Sequence, residues 1–364
     1  MDPSARAGPE GAAAPAELEL LRELVAIPSP TGSEAAAVGW LARQAQGLGL
    51  GTRVDAAGNL IMEALPAPRL RSDPGLYLLG HIDTVPGFWP VREEAGRLWG
   101  RGASDAKGPL AAFICATLRA QSKGRLRRRV LILAAVGEEG DSAGARHLAA
   151  RLPPPAYLLV GEPSGSHRLV IGYRGQLRCV ASLTCEVRHG SRPEPTAGEL
   201  GCELWAQVRR ALDGRSAGRT GFEELTVHLL GIETSGDGLQ ERVSLRLGFR
   251  LPPSVGPKAV LATLSKLDPR PEVIVESCER AATVSRTGPL PTALARAIRA
   301  EGREPVWQRR LGSSDLNVVL PAWGSPAVVY GPGDAELDHT PRESISLHDY
   351  GRAIRVLAQV IGEL

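Results

Sequence analysis

The chain has 364 residues, 43% of them hydrophobic and 23% charged, with a formal net charge of +3. That length exceeds what one hydrophobic core ordinarily serves, so two domains are expected; so small a charge, without any binding motif, argues against a nucleic-acid binder, and no apolar run is long enough to cross a membrane. The five cysteines (Cys115, Cys179, Cys185, Cys202, Cys278) form no CxxC pair, which argues against a disulfide framework or a Cys-type zinc site and makes a reducing cytoplasm the expected compartment.

Residues 1–14 lack an apolar h-region and read as a disordered tail rather than a secretory signal. "ELELLRELVAI" has helical spacing, and "PSPTGSE" supplies a turn and cap for a second helix, "EAAAVGWLARQAQGLG". "GLYLLGHIDTV" and "RRVLILAAVGEEG" read as buried strands, with a helix between them from about Gly108. "AGARHLAARL" is a further helix and "AYLLVGEP" a further strand. Strands alternating with helices predict an α/β fold whose mostly parallel sheet carries helices on both faces.

Near Tyr173 the pattern changes. "QLRCVASLTCEV" alternates with period two; a helix, two alternating strands, a helix and a strand follow. That β-α-β-β-α-β order predicts an inserted ferredoxin-like domain over residues 173–284, between two parts (15–172 and 285–364) of the larger one. The helix–strand style resumes with "LPTALARAIRAEG", "SPAVVYGPG" and "SLHDYGRAIRVLAQVIGEL".

The ends of the predicted core strands carry the chemistry. The first ends in His81 and Asp83, which share a face if the strand runs that far. The loop "GRGASDAKG" supplies Asp105, the second strand ends in Glu138 and Glu139, the next in Glu162, and "GPGDAELDHTP" offers His339. In an open α/β sheet the carboxyl ends of the strands form the ligand crevice. Each motif alone has an ordinary explanation: a core histidine, a solvated Glu pair, a helix cap. Together they crowd carboxylates that would repel one another unless a cation sat among them, and two imidazoles with carboxylates suit zinc or a similar ion.

The motifs "GHIDTVPG", "GRGASDAKGPLAAF", "GEEGDSAGARHL", "GEPSG" and "LDHTP" resemble, in content and order, those of the M20 metallopeptidases and amidohydrolases. The resemblance implies two divalent ions, Zn2+ or Co2+. His81 and Glu162 would hold one, Glu139 and His339 the other, and Asp105 both. Asp83 would orient His81, and Glu138 would be the general base. It also implies a cis peptide at Asp105–Ala106. The segment "EVRHGSRPEPTAGE" resembles the family's lid, whose histidine, here His189, reaches the partner's site in a homodimer and stabilises the oxyanion.

"GSSDLN" at Gly312–Asn317 resembles the branch that releases lysine or ornithine from the C-terminal glutamate of the acidic carrier protein LysW, in lysine and possibly arginine biosynthesis. The resemblance makes Ser313, Asp315 and Asn317 candidates for the substrate pocket; Asp315 is alternatively a helix cap. Arg286 is a candidate partner for the α-carboxylate, or a surface arginine. The basic clusters at residues 125–129 and 308–310 suit an acidic carrier, or are simply solvated. A deacetylase or dipeptidase acting on a free small substrate, and an inactive metal-binding scaffold, are the competing readings.

Overall fold

The computed structural model describes residues 13–66, 73–187, 193–216 and 218–364, the last three before position 217 by backbone only. The chain divides into two compact units. One comprises Met1–Ile171, Val284–Gln308 and Val318–Leu364; the other comprises Gly172–Thr283 and Arg309–Asn317.

In the first unit the sheet runs in the order Gly51–Val54, Leu60–Ala64, Val130–Ala135, Leu76–His81, Tyr157–Val160, Ala327–Val329, Arg168–Tyr173. The four strands from Val130–Ala135 to Ala327–Val329 pair in parallel; those outside them pair antiparallel. The parallel centre explains why these segments are apolar without alternation. Leu76 and Leu78 pack into the core shared with helix Lys107–Ser122, while Tyr77, on the opposite face, meets Trp323 edge-on. A strand buried on both faces has no use for polar side chains. Helix Lys107–Ser122 packs on the sheet and on helix Leu347–Glu363, whose Tyr350, Ile354, Leu357 and Ile361 are buried.

The second unit is a four-stranded antiparallel sheet in the order Thr226–Gly236, Gln240–Leu251, Gly175–Glu186, Glu272–Glu279, with helices Ala197–Ser216 and Pro257–Leu264. Alternate residues such as Leu177, Cys179 and Ala181, with Leu245 and Phe249, form a separate core with Val208 and Val260. This is the split β-α-β-β-α-β arrangement.

Three features depart from expectation. The hairpin Gly51–Val54/Leu60–Ala64 was not apparent in the sequence, because its first strand is largely exposed and four residues long. The strand read through Val85 stops at His81, so Asp83 lies beyond it, although Ile82 N–H still donates to Ala135 O. Residues Arg309–Asn317, expected with the larger domain, cluster with the smaller unit. There Arg174 N–H donates to Arg310 O, and Asn317 donates to Arg174 O and Arg280 O.

Candidate active site

Parallel register brings three of the strand ends level. His81 lies opposite Ala135, and Leu79 opposite Val160. Glu138 and Glu139 follow Ala135 by three and four residues, and Glu162 follows Val160 by two. All three positions therefore emerge at one edge, where side chains from separate loops can meet. Asp105 arrives from the loop before helix Lys107–Ser122, across a cis peptide to Ala106. His339 comes from the loop after Ala327–Val329 and has a positive φ of 61°.

His81 is buried. Its Nδ1 lies 3.0 Å from the carbonyl oxygen of Asp83, which can only accept, so Nδ1 carries a proton. That leaves Nε2 facing Asp105 Oδ1 at 3.1 Å. The other oxygen of Asp105 lies 3.1 Å from His339 Nε2, which also approaches Glu139 Oε1 at 2.9 Å. Asp105 thus stands between two imidazoles. His81, Asp105 and Glu162 form one group, and Asp105, Glu139 and His339 another; in each, one ligand atom per residue lies within 4.8 Å of the others.

The electrostatics match a cation site. Burial works against charge on His81, but hydrogen bonds to Asp105 and Asp83 and the charge of Glu138 outweigh it and hold its pKa well above the usual range. Burial likewise opposes ionisation of Asp105, yet hydrogen bonds from His339 and His81 keep its pKa low. Hydrogen bonds to Asp105 and Glu139 push His339 up to about 10. Asp105 therefore stays ionised between the two imidazoles and demands positive charge, which protons or a metal can supply. Two imidazole nitrogens with the three carboxylates of Asp105, Glu139 and Glu162 are a donor set that fits a divalent cation such as zinc.

Asp83 has a task beyond the one expected. Its backbone carbonyl, rather than its carboxylate, is the nearer partner of His81. Its carboxylate accepts from Glu138 N at 3.0 Å, Glu139 N at 3.1 Å and Thr31 Oγ1 at 2.8 Å. One buried carboxylate therefore holds the turn that presents both glutamates.

Two further anchors escaped the sequence reading. Glu343 is buried; its Oε1 accepts from Ser104 N and Asp105 N, both at 3.1 Å, and its Oε2 pairs with Arg101 at 2.7 Å. Burial raises its pKa despite that pair, and through Ser104 N and Asp105 N the same carboxylate holds the Asp105 loop. Asn59 accepts from Val136 N at 3.0 Å and donates to Gly144 O at 3.1 Å, clamping both ends of the Glu138–Glu139 loop. Asn59 and Glu343 each precede a short strand, Leu60–Ala64 and Ser344–Ser346, and neither closes an apolar run or belongs to a motif, so no local signal marks them.

The remaining candidates lie apart in the chain's organisation. Arg286, in the first unit, is exposed and stacks on Trp307 at 5.2 Å. Ser313, Asp315 and Asn317 belong to the second unit. Ser313 Oγ accepts from Arg250, and Asn317 Oδ1 from Ser314 N. Asp315 opens helix Asp315–Trp323, but the cap is Ser314, whose Oγ accepts from Leu316 N at 3.3 Å. His189 lies outside the described residues.

Residues 77–363 match the model of peptidase family M20/M25/M40. The chain belongs to that family. A Thermococcus kodakarensis protein provisionally named [LysW]-lysine/[LysW]-ornithine hydrolase is 39% identical, over 96% of this chain and 92% of its own. The [LysW]-lysine hydrolase of Deinococcus radiodurans is 35% identical, over 96% of this chain and 98% of its own. Among solved structures, a tripeptidase from Staphylococcus aureus superposes with a TM-score of 0.78 at 18% identity, covering 97% of this chain and 99% of that one. The M20 metallo-carboxypeptidase Sso-CP2 of Sulfolobus solfataricus gives 0.76 at 19% identity, covering 95% and 98%. These two likenesses concern the fold. As an M20 protein, the chain is a metal-dependent hydrolase acting on amide bonds. Among the described residues no helix is long and apolar enough to cross a membrane.

Proposed function

We propose that this M20 hydrolase releases lysine, or ornithine, from the C-terminal glutamate of the acidic carrier LysW, in the cytoplasm, as the last step of lysine and possibly arginine biosynthesis. The observation that carries this reading is similarity along almost the whole chain to relatives named for that reaction.

Two divalent ions, zinc or cobalt, fit the donor set. His81 and Glu162 would hold one, Glu139 and His339 the other, and Asp105 both. Bound there, the ions would supply Lewis acidity for the scissile carbonyl and the attacking water. Glu138 takes the proton from that water on its carboxylate and gives it to the leaving amine nitrogen. Asp83 keeps Glu138 and Glu139 in place through their backbone N–H groups and holds the His81 tautomer. His189 is assigned to the oxyanion, from the partner subunit of a homodimer formed through the 173–284 lid. Arg286 offers a planar fork to the α-carboxylate of the released amino acid. Asp315 supplies a negative charge for its cationic side chain, while Ser313 and Asn317 act by holding the surrounding loop.

Mass spectrometry of the zinc- or cobalt-loaded protein tests this on two substrates: lysine linked to the carrier's C-terminal glutamate, and free N-acetyl-lysine or N-acetyl-ornithine. Release mainly from the carrier is expected. Cleavage of the free compounds alone would make the protein a deacetylase, and no turnover of either with metal bound would point to a scaffold.

A further inference from the structure

A cavity of about 380 Å³ in the first unit uses none of the seven residues gathered at the strand ends. Its walls come from the segment after Glu162, the loop before His339 and the start of helix Leu347–Glu363. Arginine dominates them: Arg97, Arg168, Arg303 and Arg352 all line it.

Elsewhere this chain pairs many of its arginines. Arg101 meets Glu343, Arg119 meets Glu17, Arg129 meets Glu63 and Arg355 meets Glu301. In the cavity only Arg352 is paired, with Asp349 at 2.8 Å. Arg97, Arg168 and Arg303 form no ion pair with any carboxylate among the described residues. Arg97 is nevertheless held in place: its Nε donates to Ser344 Oγ at 3.0 Å and its Nη2 to Ser344 O at 3.1 Å. Asp349 is further occupied by Ser166 Oγ at 2.6 Å. The other acid in the wall, Asp334, is exposed and accepts from Glu336 N. The lining therefore carries four guanidinium charges against two carboxylates. The field is felt locally: burial, then Arg303 and Arg168, lower the pKa of His167, which leaves it neutral beside the arginines.

We propose that this cavity is a binding site for an oxyanion carrying at least two negative charges, a phosphate, a sulfate or a dicarboxylate. Three guanidinium groups without a carboxylate partner around one concavity repel one another, and a bound dianion removes that repulsion while offering oxygen atoms to their planar forks. The volume lies in the range of small-ligand pockets. Gly165, in the wall, follows Glu162 by three residues, so it stands within ~11 Å of that residue along the chain. The oxyanion could accordingly be free in solution or belong to an acidic protein substrate, and the kinetics distinguish the two.

The test titrates metal-loaded, full-length protein with sodium sulfate by calorimetry, against sodium chloride at equal ionic strength. Sulfate is expected to bind saturably. The double variant Arg168→Gln/Arg303→Gln should bind at least tenfold more weakly, while melting normally in chloride. Arg168→Lys/Arg303→Lys, which keeps the charge and loses the fork, should fall between them. Sulfate that raises KM for an acidic carrier-linked substrate, but not for free N-acetyl-lysine, would show that the group belongs to the protein substrate. Saturable binding that leaves both KM values unchanged, or changes them equally, would assign a free small oxyanion. Non-saturable heats, or equal affinity in wild type and both variants, would overturn the proposal.

Discussion

At the scale of single residues, the site depends on side chains that position others. Glu138→Gln removes the proposed base without touching the backbone N–H that Asp83 accepts. Turnover should fall by roughly 10²–10⁴-fold with metal content unchanged; equal loss of metal would mean that Glu138 is a ligand instead. Asp83→Ala keeps the carbonyl that holds His81 but strips the carboxylate from the backbone N–H groups of Glu138 and Glu139 and from Thr31 Oγ1, so metal affinity should drop roughly 10–100-fold, as read by chelator competition. Glu343→Ala leaves Arg101 buried without its carboxylate and two N–H groups of the Asp105 loop unsatisfied. A loss of about 3–5 kcal/mol is expected in urea unfolding. The pH dependence of metal binding follows from His339. Its pKa of about 10 without metal means that it is protonated at pH 7. A cation must displace that proton, so affinity should weaken as pH falls, about tenfold per pH unit for each proton released. Affinity independent of pH between 6 and 8 would contradict this.

At the scale of elements, helix Lys107–Ser122 sets the position of Asp105, and its first turn has no spare room. A Cβ on Gly108 would lie 2.3 Å from Ala103 O and 2.7 Å from Ile345 Cδ1. Backbone must shift to admit it. Gly108→Ala should therefore cost ~1–3 kcal/mol and also reduce metal occupancy; melting and metal analysis of the same preparation read both. Helices with strong apolar periodicity and strands buried on both faces were legible in the sequence, because burial writes itself into residue type. The short edge strands were not. Gly51–Val54 is held by its pairing with Leu60–Ala64, a contact between segments that no local pattern announces.

At the scale of the molecule, the two units have separate cores, and all seven strand-end residues lie in the first. A ligand stabilises only the structure that binds it: metal at 1,000 times its Kd adds about 4 kcal/mol. Chelation should lower the calorimetric transition of the first unit and leave that of the second in place. One transition that shifts as a whole would show that the units unfold together.

The residues gathered at the strand ends were readable as a set, because each closes an apolar run or sits in a short glycine-rich loop whose chemistry has no obvious structural use. Their membership of one family was readable for the same reason. What the sequence could not yield were distances and supporting contacts. Asp83 reaches Glu138 and Glu139 across 55 and 56 positions, and Glu343 reaches Asp105 across 238. Four arginines converge on one cavity from segments scattered between positions 97 and 352. Side-chain type and local spacing are properties of the chain; which distant groups satisfy one another's charge and hydrogen bonds is decided only when the sheet brings them together.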